Sequence, residues 1–211
     1  MIPNAGLRIY DAKITDRISL GARHFVSRKE HGMIKVIGVD PGLSATGVGI
    51  VRGIDLKVDG FSFGSIHTSK NLPLLNRLDK IFSNLLKVLN DEKPDLMVVE
   101  DVFSTEKFPN AGITLGKVTG VILLAGCRME IPVIEVPVRE SKQVLTGNGN
   151  ATKIQLEKAV RRLLNLTTPI RPYHASDALG LALLGLFRYN DRWAKKTPYK
   201  KEKLKCNDRL S

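Results

Sequence analysis

Three runs rich in β-branched residues follow one another with only short turns between them, at 34–40, 45–53 and 57–68, and Gly42 and Gly53 mark the turns. A chain that opens this way commits to a sheet before any helix can form, since turns so short lay successive strands side by side. Gly47 and Gly49 are costly inside a strand and point to a close backbone approach there. A helical period then takes over at 73–91, where Leu74, Leu75, Leu78, Ile81, Phe82, Leu85 and Leu89 recur at three- and four-residue steps behind Pro73. Two more apolar strands, "DLMVVE" (95–100) and "IPVIEV" (131–136), flank a loop (101–109) and a long helix (110–129). Helical segments at about 138–145, 152–165 and 174–189 complete the pattern, separated by "TGNGN" and "TTPIRPY". This order predicts an α/β fold, a mixed five-stranded sheet flanked by helices on both faces. With no internal repeat and no linker, one domain is expected over 33–190. Residues 1–32 read as a disordered extension, with Met33 as a working start, and 191–211 as a basic disordered tail.

Composition narrows the function. At 211 residues and 43% hydrophobic the chain can bury one good core. No unbroken run of 18 apolar residues is evident, so no transmembrane helix and no membrane partner are expected. The first 20 residues lack the apolar centre of a signal peptide, and Asp11 and Asp16 argue against a transit peptide. Cys127 and Cys206 have neither disulfide-framework nor metal-site spacing. A soluble, cytoplasmic protein is expected. The formal charge of +12 points to a polyanionic partner. Segments 1–32, 33–190 and 191–211 carry +3, +4 and +5, so most of the excess lies in the tails. Within the body, Lys142, Lys153, Lys158, Arg161, Arg162 and Arg171 gather in one stretch.

Against that positive background stand a few placed carboxylates. Asp40 ends the first strand and Glu100 the fourth, each after an apolar run, at sheet ends where sites on open α/β sheets are built. In "YHASDALGLALLGL", His174 and Asp177 are three apart and share one helix face. Singly, each has a structural explanation: a turn aspartate before Pro41–Gly42, a solvated strand end, a carboxylate complementing a helix dipole, a surface histidine. Jointly, converging carboxylates repel and call for a cation, and oxygen-rich donors suit Mg²⁺ or Mn²⁺. Two such ions about 4 Å apart are suited to phosphodiester hydrolysis.

The segments "GVDPGLSATGVGIV", "VVEDVF", "SKQVLTGNGNATKIQL" and "HASDALGLAL", in this order and spacing, resemble the RuvC family of Holliday junction resolvases, over about 33–189. The resemblance implies an RNase H-like fold, a homodimer, and an Mg²⁺- or Mn²⁺-dependent endonuclease with two ions per site. It implies that four-way DNA junctions are resolved by paired symmetric nicks during recombination and repair, alongside a branch-migration helicase complex. By motif match, Asp40, Glu100, His174 and Asp177 would be the catalytic metal site. Many members carry aspartate where this chain has His174. Phe103 would stack on exposed bases at the junction, and Lys142 and Lys153 would contact DNA. The "TGNGN" loop offers unobstructed backbone amides to a phosphate, and the glycine-dotted helix 110–129 would form the dimer contact.

Rival readings are weaker. An ATP-binding protein of the actin and sugar-kinase superfamily needs a second phosphate loop and a second, similar domain, for which 33–191 leaves no room. A nuclease acting on RNA precursors shares the acidic residues, but the Gly-x-Gly, Lys-x-Gln segment favours a resolvase. A catalytically inactive junction-binding module would be signalled by a lost carboxylate, and all three are present.

Overall fold

The structure, a computed structural model, describes residues 32–101 and 109–188. All but Gly32 of the N-terminal extension, the basic tail and Phe103 lie outside the described residues. The element order is β1 (Ile34–Asp40), β2 (Ala45–Ile54), β3 (Lys57–His67), α1 (Leu74–Glu92), β4 (Leu96–Asp101), α2 (Pro109–Arg128), β5 (Val133–Pro137), α3 (Val138–Thr146), α4 (Lys153–Leu163) and α5 (Tyr173–Arg188). The strands form one sheet in the order β3-β2-β1-β4-β5. The first three are antiparallel, as their short turns require, while β4 and β5, each reached through a helix, add in parallel.

Alternation along the strands divides the core in two. Ile37, Val39, Met97 and Val99 face α1 and α2, where Ile81, Leu85, Val118 and Ile122 meet them. Val36, Leu96 and Val98 face the other way, toward α5 and α4. Every residue of α5 from Ala175 to Leu186 is buried.

Helix α5 lies on the sheet almost backbone to backbone. A Cβ built on Gly38 would stand 2.0 Å from the Ala178 carbonyl oxygen, and one on Gly49 would stand 2.5 Å from the Leu179 nitrogen. At Gly47 it would fall 2.0 Å from the His174 carbonyl oxygen. No side chain fits at these distances, which is why glycine interrupts two otherwise apolar strands.

Helix α2 departs from expectation. By length and composition alone, Asn110–Arg128 is apolar enough to cross a membrane, although Lys117 and scattered glycines and threonines break the run. Here it packs along α1, and Gly126 meets Met97 and Val133. Among the described residues its other side is bare: Ile113 is 59% and Leu124 47% exposed, and none of them stands within 4 Å of a Cβ at Gly116 or Gly120.

Candidate active site

Asp40 closes β1 and Glu100 stands one residue from the end of β4. Val36 pairs with Leu96 and Val39 with Val99, so the same parallel register continued sets Asp40 beside Glu100. Alternation puts both carboxylates on the α5 face, in line with Val36 and Gly38 on one strand and Leu96 and Val98 on the other. Helix α5 starts over these strand ends and brings His174 and Asp177 from its first turns. His174 Nδ1 lies 2.6 Å from Asp40 Oδ2.

The geometry argues against the structural explanations. The turn after Asp40 is closed by the Thr46 hydroxyl, which donates to the Gly42 carbonyl at 2.8 Å, leaving the Asp40 carboxylate for the α5 side. Asp177 is 8% exposed, and its Oδ1 is buried with no hydrogen-bond partner among the described residues. An unpaired buried polar atom costs about 1–3 kcal/mol, more when charged, and complementing a helix dipole does not require that.

Burial and the nearby Asp40 push the Asp177 carboxyl up to about 6. Burial, Asp40 and Asp177 push Glu100 up to about 7. His174 moves upward as well, because its hydrogen bond to Asp40 favours the imidazolium. Lys153 Nζ stands 3.8 Å from Asp177 Oδ2. Lys153 and Lys142 both draw the two carboxyls back toward ionisation without cancelling the rise. The cluster is short of positive charge.

A divalent cation fits this donor set in kind: three hard carboxylates, one imidazole, and an orphaned Asp177 oxygen. The arrangement is not a finished cage. Among the described residues no three such side chains stand ready around one ion, since His174 occupies Asp40 and Lys153 leans on Asp177.

A family model described as crossover junction endodeoxyribonuclease RuvC matches residues 36–184. The chain belongs to the RuvC family. A RuvC from Thermotoga maritima is 38% identical over 151 residues, covering 72% of this chain and 89% of its own length. One from Carboxydothermus hydrogenoformans is 37% identical over 155 residues, covering 74% and 97%. A solved Thermus thermophilus RuvC in complex with Holliday junction substrate superposes with a TM-score of 0.68 at 31% identity, over 73% of this chain and 93% of that one. A second Thermus thermophilus RuvC structure gives 0.65 at the same identity, over 73% and 94%. The RNase H-like α/β fold and the endonuclease class expected from the sequence therefore stand.

One expectation drawn from the RuvC-like "TGNGN" loop does not. Its amides are spent within the loop. Gly147 N–H donates to the Gln143 carbonyl at 3.0 Å, Asn148 N–H to the Thr146 hydroxyl at 3.1 Å, and Gly149 N–H to Gln143 Oε1 at 3.0 Å. Asn150 N–H donates to Asn148 Oδ1 at 2.9 Å and Ala151 N–H to the Asn148 carbonyl at 3.0 Å. The glycines serve the chain itself: Gly147 takes φ +75° to end α3, and a Cβ on Gly149 would stand 2.8 Å from Arg139 Cγ. Gln155 of the RuvC-like Lys-x-Gln segment completes a capping box with Thr152 that starts α4.

A supporting pair escaped sequence reading. Glu157 is 4% exposed; its Oε1 accepts the Ile170 N–H at 2.9 Å and lies 3.4 Å from Arg161 Nε. Arg161 Nη1 in turn donates to the Thr167 carbonyl at 3.1 Å. Together they pin the segment that delivers α5, and so His174 and Asp177. The legible signal was a glutamate on the inward stripe of α4, beside Leu156, Val160 and Leu164.

Proposed function

We propose that this chain is a homodimeric resolvase that cuts four-way DNA junctions by paired symmetric nicks, using divalent metal held by Asp40, Glu100, His174 and Asp177. The observation that carries the site assignment is the buried Asp177 oxygen, without a partner among the described residues, beside two further carboxylates in a chain of the RuvC family. The hard donor set supports Mg²⁺, with Mn²⁺ as a substitute, and three carboxylates from three elements supply enough oxygens for two ions.

When bound, the cation supplies positive charge against the charge that develops during phosphodiester hydrolysis. The residues do the rest. Asp40 and Glu100 are fixed by the sheet register, and Asp177 by a helix laid on glycines. Lys142 and Lys153 lend positive charge that attracts a phosphate to the carboxylates. His174 Nδ1 meets Asp40 Oδ2 at 2.6 Å, and that contact raises the basicity of the imidazole and orients it toward the carboxylates. Hydrolysis adds water across one P–O bond, and the leaving oxygen takes up a proton.

The bare, apolar side of α2 supports the dimer: a symmetric junction needs two nicks, and two-fold symmetry presents two identical sites. Kinship alone supports a branch-migration helicase complex as partner and a role for Phe103 on junction bases. The solved relative bound to a Holliday junction supports the choice of substrate. Such an enzyme works with its DNA in the cytoplasm.

The test is a synthetic mobile four-way junction with Mg²⁺, comparing the intact protein with Asp40→Asn. Paired nicking by the intact protein, with binding kept and nicking lost in the variant, is the expected result. Equal affinity for a junction and a linear duplex would overturn the reading.

A further inference from the structure

The basic stretch of the sequence is sorted by the structure into different tasks. Lys142 and Lys153 act on Glu100 and Asp177. Arg161 turns inward to Glu157 and Thr167. Arg171 donates to the Ile170 carbonyl and lies 4.2 Å over the Tyr173 ring. Lys158 and Arg162 remain, and among the described residues neither side chain has an ion-pair or hydrogen-bond partner. Both line one cleft of about 420 Å³, between the end of α3, the loop after it and α4.

Like charges four residues apart on a helix repel, so this pair is a cost to the fold until something anionic meets it. Among the described residues no carboxylate lines the cleft. Leu145, Ala151, Ala159 and Leu163 form its apolar wall, while Lys158 and Arg162 stay exposed to solvent at its rim, where an incoming anion can reach both. The loop amides beside it are already taken, so the side chains alone would hold that anion.

Position tells which anion. At 100° per residue, Lys158 and Arg162 stand roughly 140° and 180° around α4 from Lys153, and Arg162 is roughly 13 Å farther along the axis. Lys153 faces the carboxylates while the other two face away from them. A phosphate in the cleft is therefore not the one being hydrolysed.

We propose that this cleft grips the sugar-phosphate backbone of a junction arm, away from the strand being cut, through Lys158 and Arg162. Helix α4 then has two uses: its first residue serves the chemistry and its outer face serves the hold on DNA. The proposal rests on the resolvase reading above.

The experiment compares the intact protein with Lys158→Ala/Arg162→Ala in metal-free binding to a long-armed four-way junction across a range of salt. A charge-matched control, Lys57→Ala/Lys87→Ala, removes two cations from β3 and α1, away from α4. Losing two phosphate contacts should weaken binding about tenfold near 0.1 M salt and lower the log–log salt slope by about 2 per protomer. The nicking rate at saturating enzyme with Mg²⁺ should stay within about twofold of the parent, because the lost contacts do not touch the reacting phosphate. Cutting the arms short should erase the difference between parent and variant.

An unchanged salt slope would overturn the proposal and leave the cleft to an acidic protein segment. So would an equal loss in the control, or a fall in the saturated nicking rate. If the intact protein itself shows no preference for the junction over linear duplex, the resolvase reading has failed, which is a separate result.

Discussion

His174 Nδ1 meets Asp40 Oδ2 at 2.6 Å across 134 positions of chain. That contact raises His174, and burial beside other carboxylates raises Glu100 and Asp177, so the site's stability depends on protons. Glu100 at about 7 and Asp177 at about 6 keep protons that the unfolded chain gives up near 4, and His174 is likewise raised. Folding therefore takes up protons across this window, and stability must fall as pH rises through it. The metal-free protein should melt several degrees lower at about pH 8 than at about pH 5. Excess Mg²⁺ should flatten that fall by binding the ionised carboxylates. Thermal denaturation with and without metal measures both.

His174→Asp should separate the histidine's two contributions. It removes the hydrogen-bond donor that quiets Asp40 and adds a fourth negative charge. The metal-free melting temperature at neutral pH should drop, while Mn²⁺ should bind roughly ten times tighter, as added ligand charge does at oxygen sites. Calorimetric titration of the folded protein reads the second effect without reference to nicking.

Gly38→Ala and Gly47→Ala test the seat of α5. Each new methyl would fall 2.0 Å from a helix carbonyl oxygen, so the helix must lift. A loss of about 1–3 kcal/mol or more is expected from overpacking of this kind, read by chemical denaturation. Metal affinity should fall as well, although no carboxylate has been changed.

Glu157→Gln and Glu157→Leu should part company. Glutamine keeps an oxygen for the Ile170 N–H, whereas leucine leaves that buried donor unpaired at a cost of about 1–3 kcal/mol. The leucine variant should bind Mn²⁺ more weakly even at temperatures where it is fully folded, and the glutamine variant should resemble the parent.

Leu124→Glu puts a charge on the bare side of α2, where a two-fold interface would bring it against its own copy. Sedimentation should show the variant shifted to monomer with its melting temperature little changed.

Much of this was legible in the sequence. The succession of elements and the mixed five-stranded sheet followed from turn lengths and period, whereas the neighbouring of β1 and β4 came only from the structure; Asp40 and Glu100 announced themselves as carboxylates closing apolar runs. Gly47 and Gly49 signalled a close approach, though not that α5 was the element approaching, because a missing side chain does not name its neighbour. Glu157 was missed because burial, not residue type, gives it meaning. The "TGNGN" loop misled for a related reason: free and satisfied amides are spelled identically, and only the fold shows that Gln143 and Asn148 have claimed them.

The glycine seat also bears on how such a chain tolerates change. Where helix and sheet meet through their backbones, the distance from Asp40 to Asp177 is set by the van der Waals contact of main-chain atoms rather than by the sizes of the surrounding hydrophobes. Core residues can then be exchanged in compensating sets without moving the carboxylates. For an engineer, positions 38, 47 and 49 act as a fixed datum and the apolar residues around them as adjustable fill.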